Sequence, residues 1–238
     1  DADLDIIVGD WTDGLADIYL NDGSGTFTFE QEIFSSDSFG IADFDYDGDL
    51  DIATGSTFYE NTGGATFSGS TQYASGAGVE IGDFNSDGYV DILTYQGSAA
   101  AQIYLNDGTA TFTESTPASI DATTDGNTNS VSVGDFDGDF DIDIAVFNND
   151  GPSGDDSYLF TNDGGMVFTR TSLFNTMNSM QQTEAVDIDD DGDLDLLISQ
   201  MGLYLNDGEA NFTISNTFSD SGDSCDVSFT YADVDGDG

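Results

Sequence analysis

Acidic residues recur in short loops, and their spacing is the feature of this sequence that could do chemistry. The pattern Asp-x-Asp-x-Asp-Gly-x-x-Asp occupies residues 43–51, and closely related stretches occupy residues 83–91, 135–143 and 187–195. Two carboxylates about 4 Å apart repel each other by roughly 4 kcal/mol at an effective dielectric constant near 20. A folded loop with four or five of them needs a cation to neutralise it. We therefore expect each loop to bind a metal ion.

Calcium is the metal that this donor set predicts. Ca²⁺ takes about six to eight oxygen ligands and tolerates irregular geometry, whereas Mg²⁺ takes fewer protein ligands and keeps more water. Gly48, Gly88 and Gly192 stand at the sixth loop position, where a tight turn favours glycine. An EF-hand is excluded, because it requires Glu at position 12 and flanking helices. That position is held by Thr54, Thr94, Val146 and Ile198.

The loops also define an internal repeat. They begin at residues 43, 83, 135 and 187, and a partial loop begins at residue 233, giving intervals of 40 to 52 residues. This period is typical of propeller blades. A strand-like run enters each loop and another leaves it, as in Gly78–Gly82 and Asp51–Thr54. The first hairpin of each repeat is thus predicted to enclose the acidic loop.

A second hairpin is predicted in every repeat. Asn-Asp-Gly turns occupy residues 21–23, 106–108 and 206–208, and each is followed by a Phe. Four antiparallel strands per repeat predict an all-β fold of propeller-type blades, with an open array of such repeats as the alternative. No helix is predicted. The approximate repeats in this single domain (residues 1–238) are 1–42, 43–82, 83–134, 135–186 and 187–232, with the start of a sixth at 233–238. Both ends fall inside a loop motif, so we expect a fragment or a processed product.

The two motifs together resemble the FG-GAP and VCBS-type repeats of integrin alpha-chain propellers and of many bacterial extracellular proteins. The resemblance covers essentially the whole chain and implies calcium-binding blades, but no single function. By spacing and by the family pattern, loop positions 1, 3, 5 and 9 offer side chains and position 7 offers its carbonyl. The ligands assigned in this way are Asp43, Asp45, Asp47, Asp49 and Asp51; Asp83, Asn85, Asp87, Tyr89 and Asp91; Asp135, Asp137, Asp139, Asp141 and Asp143; and Asp187, Asp189, Asp191, Asp193 and Asp195.

About four complete calcium sites are therefore expected, and a further one shared by the two ends. The partial site would use Asp233, Asp235 and Asp237 with Asp1, Asp3 and Asp5. Asn85 removes one charge from the second loop and predicts weaker binding there. In the third loop Phe140 takes the glycine position, where a positive φ strains any residue with a Cβ. We expect Gly138 to move that turn and to change which carbonyl, that of Asp141 or another, reaches the ion.

Charge excludes several classes of partner. The formal net charge is -47, and Arg170 is the sole basic residue, since there is no Lys or His. Such a surface repels nucleic acid and anionic lipid. No apolar run is long enough to insert into a membrane. The single Cys225 is interpreted as a small buried apolar residue.

A structural or adhesive role outside the cell is the function that the sequence favours. Extracellular calcium modules bind with dissociation constants of about 10⁻⁴ to 10⁻³ M, so we expect an extracellular or cell-surface location. Catalysis is not expected, because every acidic cluster is explained by metal binding; a carboxylate-based carbohydrate-active enzyme is the least favoured reading. Partners would be copies of the chain joined end to end into a fibre, or a protein or glycan ligand. That ligand would bind on the face opposite the calcium loops, near residues 116–130, 148–157 and 171–183.

Overall fold

The computed structural model of the chain describes residues 3–10, 14–34, 38–70, 73, 76, 78–96, 99–120, 127–149, 156–175, 182–199 and 201–217. These residues form β-strands, turns and one short 3₁₀ helix (Ala118–Ile120). None of the described segments is a helix of the length and apolarity required to cross a membrane. The prediction of an all-β chain is confirmed, and the 3₁₀ helix is a small addition to it.

Five antiparallel sheets follow one another along the chain, each with its strands in chain order. Sheet 1 contains β1 (Ile6–Asp10), β2 (Leu15–Asn21) and β3 (Phe27–Phe34). Sheet 2 contains β4 (Phe39–Ala42), β5 (Asp51–Thr54), β6 (Phe58–Asn61) and β7 (Phe67–Ser70). Sheet 3 contains β8 (Gly78–Gly82), β9 (Asp91–Gln96), β10 (Ala99–Asn106) and β11 (Phe112–Glu114). Sheet 4 contains β12 (Asn127–Gly134), β13 (Asp143–Asn149), β14 (Asp156–Asn162) and β15 (Phe168–Asn175). Sheet 5 contains β16 (Thr183–Val186), β17 (Asp195–Ile198), β18 (Gly202–Leu205) and β19 (Thr213–Asn216).

The acidic loops connect the first and second strands of sheets 2 to 5, as predicted. The ninth loop residue pairs with the residue just before the first Asp, as in Ala42 with Asp51 and Gly82 with Asp91. The Asn-Asp-Gly turns connect the last two strands of their sheets, for example between Asn106 and Phe112. Because strand direction alternates, both connections lie at the same end of each sheet. The first strand of sheets 2 to 5 precedes the acidic loop. Each of these sheets therefore begins one strand before the repeat that was counted from the first Asp of its loop.

The apolar core is divided into four clusters, each between consecutive sheets. Sheets 1 and 2 enclose Ile18 and Ile52, whereas sheets 2 and 3 enclose Phe44 and Phe112. Sheets 3 and 4 enclose a cluster that includes Ile120 of the 3₁₀ helix, and sheets 4 and 5 enclose another. The strand that leaves an acidic loop is covered on both faces by neighbouring sheets. In β5, for example, all four residues are buried. This explains why the strands that leave the loops are continuously apolar instead of alternating.

Within the described residues, sheets 2 to 5 pack side by side in chain order. The first strands β4, β8, β12 and β16 contact one another in succession. No closed ring is formed by the described strands, so the arrangement fits the open-array alternative. Sheet 4 also corrects part of the loop assignment, because β13 extends to Asn149 and β15 to Asn175. Main-chain pairing of these longer strands with their neighbours places part of residues 148–157 and 171–183 in the sheet.

Candidate metal centres

Three of the acidic loops bring their carboxylates together. Positions 1, 3 and 9 of each loop place one oxygen apiece within 4.8 Å of one another. The three triads are Asp43, Asp45 and Asp51; Asp135, Asp137 and Asp143; and Asp187, Asp189 and Asp195. Oxygen atoms at such separations can share one cation. Most of the predicted side-chain ligands of these loops are therefore adjacent in space.

The ninth residue of each loop is fixed by both hairpins of its sheet. Asp51 is fully buried, and its Oδ2 accepts a hydrogen bond from the Phe44 N–H at 3.1 Å. Its Oδ1 accepts another from the Asn61 N–H, in the second hairpin, at 2.7 Å. The same pair of bonds recurs at Asp91, Asp143 and Asp195, with distances of 2.7–3.1 Å. This carboxylate thus joins the acidic loop to the neighbouring turn.

The first residue of each loop organises the turn itself. The Asp43 carboxylate accepts hydrogen bonds from the N–H groups of Asp47 at 3.1 Å and Gly48 at 3.0 Å. Asp83 accepts equivalent bonds from Asp87 and Gly88. These bonds wrap the main chain around the carboxylate, so that it points into the loop. The geometry of the loop is consequently set before any ion is considered.

Position 5 lies outside the three triads. The Oδ1 atoms of Asp47, Asp87, Asp139 and Asp191 each accept a hydrogen bond from the N–H of position 7. These distances are 2.9–3.0 Å. The bond turns the main chain at position 7, which carries the predicted carbonyl ligands of Asp49, Tyr89, Asp141 and Asp193. Coordination by positions 5 and 7 stays a prediction.

The loop at 83–91 has the same pattern of hydrogen bonds as the loop at 43–51, but one carboxylate fewer among its predicted side-chain ligands. Asn85 Oδ1 accepts a hydrogen bond from the Asp87 N–H at 3.0 Å, as Asp45 does from Asp47 at 3.2 Å. Its Nδ2 donates to Asp87 Oδ2 at 2.9 Å. The amide therefore preserves the loop shape but contributes a weaker donor than a carboxylate, in line with the weaker binding predicted for this loop.

The loop at 135–143 keeps its turn, contrary to the expectation that Gly138 would move it. Phe140 adopts φ 73° at position 6, and its N–H bonds Asp135 Oδ2 at 2.9 Å, as Gly48 does to Asp43. Position 4 also needs positive φ, and Gly138 meets that need here, where the other loops have Tyr46, Ser86 and Asp190. The main-chain bonds to Asp135 stabilise the turn against the strain at Phe140.

Burial and mutual repulsion oppose ionisation in these loops. Burial is the main cause that raises the pKa of Asp91 and of Asp143 to about 7, and neighbouring loop carboxylates add to it. The two main-chain N–H bonds to each of them act in the opposite direction. Burial likewise raises the pKa of Asp51 and of Asp137. A bound cation would favour the ionised form of all four groups.

Two oxygen atoms in these loops lack a partner. Asp137 Oδ1 and Asp187 Oδ1 are buried, and neither makes a hydrogen bond within the described part of the chain. A buried, unpaired carboxylate oxygen is costly, unless a cation or proton satisfies it. Together with the all-oxygen donor set of each triad, these two atoms show that the residues fit a hard divalent cation such as Ca²⁺.

Of the partial site predicted at the two ends of the chain, only Asp3 and Asp5 lie within the described residues. Asp5 accepts a hydrogen bond from the Asn21 N–H at 2.8 Å, which is the bond that a ninth loop residue makes elsewhere. Asp3 lies beside Gly23, as Asp193 of the loop at 187–195 lies beside Gly208. Asp1, Asp233, Asp235 and Asp237 lie outside the described residues. A site shared by the two ends stays a prediction.

The Asn that opens each second hairpin has a role that the turn motif alone did not indicate. We interpreted it as a turn residue, yet its side chain also ties the turn to the acidic loop. Asn61 Nδ2, for instance, donates to the carbonyl of Leu50, the eighth loop residue, at 3.2 Å. The signal was present as an Asn at the same place in all five repeats. These residues are Asn21, Asn61, Asn106, Asn162 and Asn206.

The repeat geometry agrees with a comparison against protein families. A model described as FG-GAP-like repeat matches residues 83–146 and again residues 135–198. Residues 83–198 thus match two overlapping FG-GAP-like repeats. Each match extends from the first Asp of one loop, through a second hairpin, to the strand after the next loop. The resemblance inferred from the two motifs is thereby confirmed.

Among solved structures, the fold is similar to a chain of the Photorhabdus luminescens Tc holotoxin pore (TccC3-D651A mutation). The two share 15% sequence identity with a TM-score of 0.45. The match covers 91% of this chain and 12% of the toxin chain, so this chain spans about an eighth of the toxin chain's length. No curated protein matches the chain.

Proposed function

We propose that this chain is an extracellular, calcium-stabilised repeat protein with a structural or adhesive role and without catalysis. The observation that carries the proposal is the set of three Asp triads, in each of which one oxygen per residue lies within 4.8 Å of the others. Two of these triads contain a residue with a buried, unpaired oxygen, Asp137 Oδ1 or Asp187 Oδ1. Asp43, Asp45 and Asp51, with the equivalent residues of the other loops, would hold the ions. Calcium would supply the positive charge that lets these clustered carboxylates ionise together.

The location rests on the family and on the chemistry of the sites. FG-GAP-like repeats are typical of extracellular proteins, and weak calcium sites fill only where calcium is abundant.

Metal removal tests the proposal. Ions that bind only the folded chain stabilise it by mass action, so EDTA is expected to lower the thermal midpoint by at least about 10 °C relative to 5 mM CaCl₂. Circular dichroism at both conditions measures this difference, and MgCl₂ in place of CaCl₂ tests the identity of the ion. Equal midpoints in EDTA and CaCl₂ would refute the proposal.

If the role of the chain is structural, its copies would assemble end to end. A heterologous contact between the first and last repeats that does not close generates a filament. Because each chain carries a formal charge of -47, we expect such a contact to require calcium. Light scattering in CaCl₂ and in EDTA measures the mass; a monomer at both conditions would leave adhesion as the role.

A ligand-binding module is the second candidate, and a cleft favours it. Leu15, Glu32, Ile33, Thr57 and Tyr59 line a cleft between sheets 1 and 2. It lies at the strand ends opposite the acidic loops, which is the face predicted for recognition. Binding to immobilised glycans and its loss in Glu32→Gln would support this role, with Glu60→Gln as the control because Glu60 is exposed elsewhere.

A further inference from the structure

Three asparagine side chains bridge consecutive sheets. Asn106 Nδ2 donates to the Phe44 carbonyl, in the acidic loop of the preceding sheet, at 2.8 Å. Asn162 makes the same bond to the Phe84 carbonyl at 3.0 Å, and Asn206 to the Phe136 carbonyl at 2.8 Å. All three contacts are buried. Each Asn therefore contacts a residue at position 2 of a loop that belongs to another sheet.

These bonds link the ninth carboxylates of successive loops. The Phe44 N–H donates to Asp51 Oδ2 at 3.1 Å, whereas its carbonyl accepts from Asn106 Nδ2. The Asn106 N–H in turn donates to Asp91 Oδ1 at 2.8 Å. One buried path of hydrogen bonds thus leads from the Asp51 carboxylate of one loop to Asp91 of the next. Equivalent steps through Phe84 and Asn162 and through Phe136 and Asn206 extend the path to Asp143 and Asp195.

We propose that Asn106, Asn162 and Asn206 are positioning residues for the metal site of the preceding sheet as well as for that of their own sheet. The inference rests on the proposed calcium binding. Asn106 bonds the carbonyl of the peptide between Phe44 and Asp45. The N–H of the peptide between Asp43 and Phe44 bonds Asp51, so Phe44 connects the Asn106 contact to the loop carboxylates on both of its sides. Partners that orient a metal ligand typically change metal affinity about 10- to 100-fold when they are removed.

Asn61 offers a matched comparison within the same chain. It occupies the equivalent position and makes the same bonds to its own loop, through its N–H to Asp51 and its Nδ2 to the Leu50 carbonyl. In the described part of the chain its Nδ2 makes no bond to the preceding sheet. Substituting Asn61 therefore removes the contact within a sheet, whereas substituting Asn106 also removes the contact between sheets.

Calcium titration followed by ¹H–¹⁵N NMR separates the two sites. The N–H groups of Gly48 and Gly88 bond the first Asp of their loops at 3.0 and 2.7 Å, so each amide signal reports on one site. In Asn106→Leu, the calcium concentration for half of the Gly48 shift is expected to rise about tenfold, together with that of Gly88. In Asn61→Leu, only the Gly48 midpoint is expected to rise.

Two further variants serve as a control for stability and as an alternative substitution. Asn206→Leu introduces the same substitution in sheet 5, three sheets along from the loop at 43–51, and is expected to leave the Gly48 midpoint unchanged, which controls for general destabilisation. Asn106→Asp keeps the side-chain size and lacks the amide donor, and it serves if Asn106→Leu does not fold; its expected Gly48 shift is as large. A Gly48 midpoint equal to wild type in a folded Asn106 variant would overturn the inference. Absence of any calcium-induced shift in the wild-type chain would instead refute the calcium proposal itself.

Discussion

Some residues of these acidic loops fix the loop conformation through hydrogen bonds with the main chain, whereas others do not. Asp143 is fully buried, and both of its oxygens accept main-chain hydrogen bonds, from Phe136 and from Asn162. Asp190, by contrast, is an exposed fourth residue outside the triads. The same side chain thus has different roles at positions 9 and 4 of these loops, because burial and hydrogen bonding differ between the two positions.

Asp143→Asn tests the structural role of the ninth residue. The amide NH₂ would face one of two N–H donors and leave a buried donor unpaired, so we expect a loss of about 2–3 kcal/mol in the free energy of unfolding. Urea unfolding in saturating CaCl₂ measures it. Asp190→Asn is the control, for which we expect a change within about 0.5 kcal/mol. Equal effects of the two substitutions would contradict the assignment.

Phe140→Gly tests the strain at position 6 of the third loop. Phe140 has φ 73°, and 91% of its surface is exposed, so its side chain contributes little packing. Glycine adopts this conformation without the Cβ clash, and we expect it to stabilise the chain by about 0.5–1 kcal/mol. Differential scanning calorimetry measures the gain. Phe140→Ala retains a Cβ and should show less of it; a destabilised Phe140→Gly would show that the ring makes contacts of its own.

At the scale of elements, the stack is held by aromatic residues that cross from one sheet to the next. Phe44 lies in the acidic loop of sheet 2 and packs edge to face on Phe58 at 5.4 Å between ring centroids. It packs equally on Phe112 of sheet 3, at 5.6 Å. The residue after the first Asp therefore joins a candidate metal site to the core between two sheets.

Phe44→Ala is expected to destabilise sheets 2 and 3 together. Removing a fully buried Phe leaves a cavity and costs about 3–5 kcal/mol. Phe29→Ala, at a residue with 52% of its surface exposed, is the control and should cost much less. Hydrogen exchange should show faster opening of β6 and β11 in Phe44→Ala. Protection lost in one sheet alone would argue against the shared core.

At the scale of the molecule, acidic groups also lie along the edge of the stack that the first strands of the sheets form. Glu80 of β8 and Glu184 of β16 both lie at a cleft that β12 of the intervening sheet lines with Ser132. Burial, with the Glu184 carboxylate nearby, raises the pKa of Glu80 to about 8 from its ordinary value of 4.5. The folded chain therefore holds a proton on Glu80 at pH values where the unfolded chain has lost it.

Glu80→Gln tests the resulting pH dependence. A carboxyl whose pKa is raised by folding contributes stability that is complete below about pH 4.5 and is lost as the pH rises through about 8. We expect wild type and variant to have similar thermal midpoints at pH 4.5. At pH 9 the variant should be more stable by about 1–3 kcal/mol, because Gln is neutral. Parallel midpoint curves from pH 4.5 to 9 would contradict this assignment.

Much of this architecture is readable in the sequence because the repeat is local. Both hairpins, the all-β class and the three triads follow from residues within about 20 positions of one another. The same spacing that predicted Asp43, Asp45 and Asp51 as ligands also placed β5 directly after them. Turn chemistry and strand pairing at short range leave little freedom, so motif and structure agree at this level.

Tertiary structure decided what depends on contacts between repeats. Nothing in the local pattern indicated that Asn106 reaches the Phe44 carbonyl, 62 residues earlier in the chain. The conformation of Phe140 is likewise set by main-chain bonds to Asp135 and not by its own preference. Sequence spacing fixed which oxygens can share an ion, whereas packing of one sheet on the next determined which of them are buried, partnered and coupled.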